Sequence, residues 1–317
     1  MRLTILSRSA SIPSTKRLVD AARERGHHCR VLNPVKVEMH LDGRSANLYY
    51  QRKKIAPCDL VIPRIAPSIS NYGLAVVNQF ALRGTVLMNN AEAIAQARNK
   101  MRSLQLLSAN GIDIPATVMA REASDLKEMV SLVGGVPVLV KILQGQEKLG
   151  VMVCESLQSL EAALEAILGL GHNLIVQQYV RKTSHDVRVF VVGGDAVAAV
   201  IRKPRVGRMS KTLTRGALLE KLELTSAMRE AAVRTAKLVG LEVCAVDLLD
   251  VKGQPKVFEV NSSPGITDME EATGVDIAGK IIERAEILLG ARKTHTGARP
   301  HLKSETTSPV RRKAKAL

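Results

Sequence analysis

The 317-residue chain contains no tryptophan, and three Phe with four Tyr bring its aromatic content to only 2%. A core must therefore be built from Val, Leu, Ile, Ala and Met, and a surface that stacks bases on aromatic rings is disfavoured. Cysteine is equally sparse. Cys29, Cys58, Cys154 and Cys244 stand apart inside apolar segments with no CxxC spacing, which argues against a disulfide or zinc framework and for a reducing, cytoplasmic compartment. No G-x-G-x-x-G follows the first strand-like segment, so a dinucleotide site has no support. No apolar run approaches the roughly 18 residues of a membrane span, and the opening Met1 to Arg8 is too short for a signal peptide, so a soluble protein with no membrane partner is expected. Acidic residues are short too, 30 against 46 Lys and Arg, for a net charge of +16. The last 27 residues hold eight Lys and Arg against one Glu, so the tail supplies +7 and the remainder +9.

What is present suits a globular α/β protein. Hydrophobic residues make up 46% of the chain, enough for one large domain or two to three small ones. Residues 1–95 alternate strands (Leu3 to Leu6, Cys29 to Leu32, Leu60 to Ile65, Val86 to Asn89) with a helix over Thr15 to Arg25 that stops at Gly26, the pattern of a parallel sheet faced by helices. Arg8 and Arg64 fall at strand ends, where such sheets bind ligands. A long helix is expected from Asn90 to Leu107, ended by Asn110-Gly111, leading into a second unit over 96–290. That unit divides into a part at about 112–205 and a part at about 206–290, the latter with helices at Ser226 to Leu238, capped by Thr225 or Ser226, and at Ile277 to Leu289. Residues 291–317 form a basic tail with no apolar period, read as disordered.

The most informative stretch pairs Cys244 to Asp250 with Lys256 to Gly265. Both segments alternate at period two around Val251-Lys-Gly-Gln-Pro255, which reads as a hairpin. Centring the turn on Gly253 sets Asp247 opposite Glu259 and Ala245 opposite Asn261, with Val246, Leu248, Phe258 and Val260 on the other face. Two carboxylates facing each other at about 5 Å repel unless a cation or proton lies between them. Asp247, Glu259 and the amide oxygen of Asn261 together suit a hard ion such as Mg2+, with room for two ions clamped on phosphates; the alternative for any single acidic pair is a solvated sheet face. Lys141, inside the apolar strand Val136 to Leu143, is expensive to bury unless it meets an anion.

These residues, with Leu3 to Arg8, Val61 to Ile65, Ala97 to Lys100 and Thr273 to Lys280, resemble the RimK-type glutamate ligases of the ATP-grasp class over nearly the whole chain from Met1 to about Leu289. The resemblance implies an ATP-grasp fold behind a Rossmann-like, parallel-sheet pre-ATP-grasp domain, with residues 112–205 as a nucleotide lid. It implies an enzyme that uses ATP and Mg2+ or Mn2+ to ligate L-glutamate to the C-terminus of a protein acceptor, a small-subunit ribosomal protein in that family, and it admits a homo-oligomer. Carried over residue by residue, Asp247, Glu259 and Asn261 are metal ligands. Lys100 and Lys141 reach nucleotide phosphates, and Gln178, Tyr179 and Asp186 hold adenine and ribose. Arg188 meets phosphate or the acidic substrate, and Ser210, Lys211 and Thr212 stand where the family has an Arg-x-Asn group over the reacting phosphates. The chain departs from the family at Lys148 (usually Gly), Gln178 (usually Glu) and 210–212. Two other assignments use the same residues: an ATP-grasp ligase with a small-molecule acceptor, and a catalytically impaired relative that binds nucleotide or ribosomal components.

Overall fold

The computed structural model describes residues 1–42, 46–120, 125–142, 151–180, 185–203 and 218–296. The loop carrying Lys148, the segment with Ser210, Lys211 and Thr212, and the chain from 297 onward lie outside the described residues.

The chain opens with β1 (Arg2–Leu6), α1 (Pro13–Glu24) and β2 (His28–Leu32). Pro13 presets the first turn of α1, Leu18, Val19, Ala21 and Ala22 bury its inner face, and Gly26 at φ 73° turns the chain back beyond its end. A small antiparallel sheet follows, β3 (Val37–Leu41), β4 (Ala46–Tyr50) and β5 (Lys53–Lys54), which the sequence reading did not include. Then come β6 (Leu60–Pro63), α2 (Ser70–Leu82) and β7 (Val86–Leu87). Strands β2-β1-β6-β7 make the expected parallel sheet. Its order reverses between β1 and β6, which places the crevice for a ligand at their C-terminal ends.

The helix expected from Asn90 to Leu107 is two helices, α3 (Ala91–Arg98) and α4 (Lys100–Ala109). Asn99 breaks it. Its backbone is extended at φ −81°, ψ 95°, and its side chain accepts from the Arg102 N–H at 3.0 Å, so it ends one helix and caps the next. Lys100 thereby becomes the first residue of α4.

Next are β8 (Thr117–Ala120), α5 (Leu126–Leu132), β9 (Val138–Ile142), β10 (Val151–Cys154), α6 (Leu157–Gly169) and β11 (Leu174–Gln178), which form an antiparallel sheet in the order β10-β9-β11-β8 over its own core. The remaining elements are β12 (His185–Val192), β13 (Asp195–Lys203), β14 (Leu218–Lys221), α7 (Ser226–Val239), β15 (Val243–Val251), β16 (Gln254–Asn261), α8 (Thr267–Thr273) and α9 (Ile277–Thr296). They build the sheet β14-β13-β12-β15-β16. Thr225 caps α7, and Met228, Ala232, Ala236 and Val239 pack it on one face of that sheet. The opposite face meets α9 through Ile277, Ile281 and Ile282 in a core shared with α1 and β1. Helix α9 runs to Thr296, past the expected Leu289; a nucleated helix extends cheaply through good formers such as Ala291, Arg292 and Lys293. Among the described residues no helix is long and apolar enough to cross a membrane.

Asn89 ties the first sheet to the last. Its Oδ1 accepts from the N–H groups of Glu242 (2.9 Å) and Val243 (3.1 Å), and its Nδ2 donates to the carbonyls of Val243 (2.8 Å) and Ser262 (3.4 Å). Truncating a buried group with these partners strands several of them, so Asn89→Ala is expected to cost about 2–3 kcal/mol in urea unfolding. A loss under about 0.5 kcal/mol would contradict this clamp.

Candidate active site

The hairpin β15–β16 pairs Asp247 with Glu259 and Ala245 with Asn261, the register read from the sequence. The route to it differs. The turn is Lys252-Gly253, both at positive φ (54° and 86°), and alone it would put Phe258 opposite Asp247. A bulge restores the pairing: the register shifts between Asp247 and Leu248, so Leu248 faces Val257 and Phe258 is the extra residue. Phe258 is thus not on the core face, where Val257 joins Val246, Leu248 and Val260 instead. Its ring lies under the Lys141 ammonium, 5.4 Å from the centroid.

Asp247 is 1% exposed and does not face Glu259 as a bare charge. Arg188, its neighbour across β12–β15, grips it with two forked bonds, Nε to Oδ1 and Nη2 to Oδ2, each 2.8 Å. Arg202 on β13 adds Nη2 at 3.0 Å from Oδ2 and also binds Asp186 Oδ1 through Nη2 (2.5 Å) and Nε (3.1 Å). Burial would raise the Asp247 carboxyl, but Arg188 and Arg202 outweigh it and hold the group below the usual carboxylate range. Burial pushes Asp186 up to about 6 against the pull of Arg202. Arg188, expected to face phosphate or an acidic substrate, is here committed to Asp247.

Glu259 is more open, with its nearest cation, Lys100 Nζ, at 3.7 Å. Asn261 Oδ1 accepts one bond, from the Ser263 N–H at 2.9 Å, and keeps a lone pair free. The donor set of two carboxylates and one amide, all oxygen and on one face of a hairpin, fits a hard divalent cation. Among the described residues no cluster of three or more His, Cys, Asp or Glu forms a metal site, so the set depends on Asn261.

Lys141 on β9 is buried, and its Nζ donates to Gln177 Oε1 at 2.6 Å, whose Nε2 in turn donates to Thr117 Oγ1 at 2.8 Å. Burial first, and the nearby Lys100 second, lower its ammonium to about 8. At the end of β11 the buried Gln178 Oε1 has no hydrogen-bond partner, an acceptor fit for an amino group such as that of adenine. Tyr179, half-buried, follows it.

A cleft of ≈ 240 Å³ opens at the C-terminal ends of β1 and β6. Its walls are Ser7 and Thr15, Arg64 to Pro67, the α3–α4 junction with Arg98 and Lys100, and Glu259 to Ser263. Arg64 is half-buried, donates to the Pro264 carbonyl at 2.7 Å, and is lowered to about 10 by desolvation. Arg98 donates to Ser70 Oγ at 2.6 Å and to the Ile65 carbonyl. Arg8 is exposed and does not line the cleft. The break at Asn99 is what brings Lys100 into this wall opposite Glu259. Sequence reasoning passed over Arg98, Arg202 and Gln177.

If Lys141 carries nucleotide phosphate, ATP affinity should fall as pH rises through about 8, because the neutral amine loses the anion's attraction. Titration calorimetry from pH 7 to 9.5 checks this, with Lys141→Met expected to bind more weakly and without that pH dependence. An unchanged profile in the variant would assign the effect elsewhere.

Comparison with known proteins places the site in context. A model described as the RimK-like ATP-grasp domain matches residues 97–285, and one described as the RimK PreATP-grasp domain matches residues 1–94. The "Probable alpha-L-glutamate ligase 1" of Shewanella amazonensis is 41% identical over 300 residues, covering 94% of this chain and all (100%) of that protein. The "Probable alpha-L-glutamate ligase" of Thioalkalivibrio sulfidiphilus is 40% identical over 302 residues, covering 95% and 97%. Among solved structures, ATP-grasp ligase PsnB complexed with minimal precursor, Mg and ADP aligns with a TM-score of 0.72 at 20% identity, covering 90% of this chain and 97% of that one. At that identity it shows the shared ATP-grasp fold alone.

Proposed function

The chain belongs to the RimK family of ATP-grasp enzymes and is an ATP-dependent carboxylate–amine ligase, and from that premise we propose that it joins L-glutamate to the C-terminus of a protein, a small-subunit ribosomal protein in the reading drawn from the family resemblance. The cleft carries this reading: Arg64, Arg98 and Lys100 give it a cationic wall suited to carboxylate substrates, and its opposite wall is the end of the hairpin with Glu259 and Asn261. The free thiols of Cys29, Cys58, Cys154 and Cys244 suit a cytoplasmic setting.

In this reading Asp247, Glu259 and Asn261 hold Mg2+ or Mn2+, two ions by the number of donors. Such ions, when bound, neutralise charge on the polyphosphate. Lys100 and Lys141 anchor phosphates, Gln178 accepts from the adenine amino group, and Tyr179 and Asp186 flank the nucleoside. Ser210, Lys211 and Thr212, outside the described residues, are assigned to the reacting phosphates by the family resemblance alone. An oxygen of the acceptor carboxylate bonds to the γ-phosphorus as the bond to the β,γ-bridging oxygen breaks, releasing ADP and leaving an acylphosphate. The uncharged amine of glutamate then bonds to the acyl carbon, the carbon–oxygen bond to phosphate breaks, and the amine proton passes to solvent. The chain's side chains bind and orient both carboxylates, and none is required as a covalent nucleophile.

The test supplies ATP, Mg2+, labelled glutamate and purified small-subunit ribosomal proteins. The expected result is ADP release with glutamate added to one protein by intact mass. ADP release with a small acid and no protein mass change would replace the acceptor by a small molecule. Nucleotide binding without ADP release under any acceptor would make the chain an impaired relative.

A further inference from the structure

We propose that Arg202 is a positioning residue through which Asp186, a residue away from the metal hairpin, sets the affinity of the cation site; the inference rests on reading Asp247 as a cation ligand.

A carboxylate oxygen offers two hydrogen-bonding or coordinating directions. At Asp247, Oδ2 accepts from Arg188 Nη2 at 2.8 Å and is further crowded by the Arg202 guanidinium, whose Nη2 makes an ion-pair contact with it at 3.0 Å. Oδ1 is filled once, by Arg188 Nε at 2.8 Å. One direction on Oδ1 is left, so a cation meets Asp247 through that oxygen alone. Arg202 therefore selects the ligating atom.

Arg202 is also divided between two masters. It is 9% exposed, it sits opposite Asp186 across β12–β13, and both its Nε and Nη2 donate to Asp186 Oδ1. The four side chains Arg188, Arg202, Asp186 and Asp247 balance to zero charge within one sheet. The more of Arg202's charge Asp186 neutralises, the less it screens Asp247, and the better a ligand Asp247 remains. Making Asp186 neutral hands that charge to Asp247, where it competes with the cation. A lysine at 202 has a point charge without the fork, and cannot hold both carboxylates in this geometry.

The experiment titrates Mn2+ against the protein saturated with ADP, reading free ion by electron paramagnetic resonance and subtracting ADP alone. Asp186→Asn is expected to weaken Mn2+ binding at least about five-fold, the lower end of a site-to-site coupling, with ADP kept saturating for each variant. Arg202→Lys, chosen because it keeps a cation against the two buried carboxylates, should remove that sensitivity: adding Asp186→Asn to it should then change Mn2+ affinity less than about two-fold. A purely structural role would lower the melting temperature without this pattern. Asp186→Asn that leaves Mn2+ affinity unchanged, or weakens it equally in the Arg202→Lys background, overturns the proposal. Failure of the cation site itself looks different: Mn2+ binding that is absent in the parent, or that survives Glu259→Gln intact, overturns the ligand reading and the proposal with it.

Discussion

Glu259→Gln is expected to lower ATP-dependent ligation by about a hundred- to a thousand-fold while leaving the fold intact. The activity loss follows from deleting the charged ligand that stands in the cleft: bound ions supply several kcal/mol of charge stabilisation, and each 1.36 kcal/mol is a tenfold rate. The small stability change follows from what Glu259 touches. Its side chain is 34% exposed, and its ion pair with Lys100 is long at 3.7 Å, a contact worth about 0–1 kcal/mol. Activity assays with matched urea melts of the metal-free protein check both halves. A variant that melts far below the parent would make Glu259 a structural residue rather than a ligand.

Asp247→Asn, on the facing strand, should behave in the opposite way. The amide keeps the shape of Asp247 but removes the charge that Arg188 and Arg202 share, leaving the half-buried Arg188 without its forked partner and Arg202, 9% exposed, with Asp186 alone. Breaking a buried pair in this manner is destabilising by about 3–5 kcal/mol. Unfolding of the metal-free protein is the measurement, since no cation then contributes. A change under about 1 kcal/mol would mean that the arginines do not depend on Asp247.

These two residues show how much of the site was legible in the sequence. Their pairing was readable from period two and one glycine, but the counting that found it was half a residue off. The turn is centred between Lys252 and Gly253, and the bulge at Phe258 supplied the missing residue. The same device hid Arg202. Counting outward from the Gly193-Gly194 turn puts Ile201 opposite Asp186, and only the register shift at Phe190/Val191 brings Arg202 there. Bulges leave no fixed trace in composition, so partners beyond them were not visible. The break in the helix over 90–107 was more accessible: Asn99 three residues before Arg102 is a capping signal, yet apolar spacing through both halves argued for continuity. The parallel sheet, the strand bearing Lys141 and the N-cap of α7 were legible because each rests on local pattern. The arginine pairs were not, because they join strands whose neighbours only the tertiary fold decides.

In the proposed mechanism an acceptor carboxylate is activated as an acylphosphate in the cleft between the parallel sheet and the β15–β16 hairpin. Its most direct test uses an acceptor that supports ADP release, its C-terminal carboxylate enriched with heavy oxygen, turned over with ATP, Mg2+ and glutamate. The account predicts one heavy oxygen transferred to the inorganic phosphate for each glutamate joined, with transfer lost in Glu259→Gln. Glutamate joined while the phosphate stays unlabelled would contradict it.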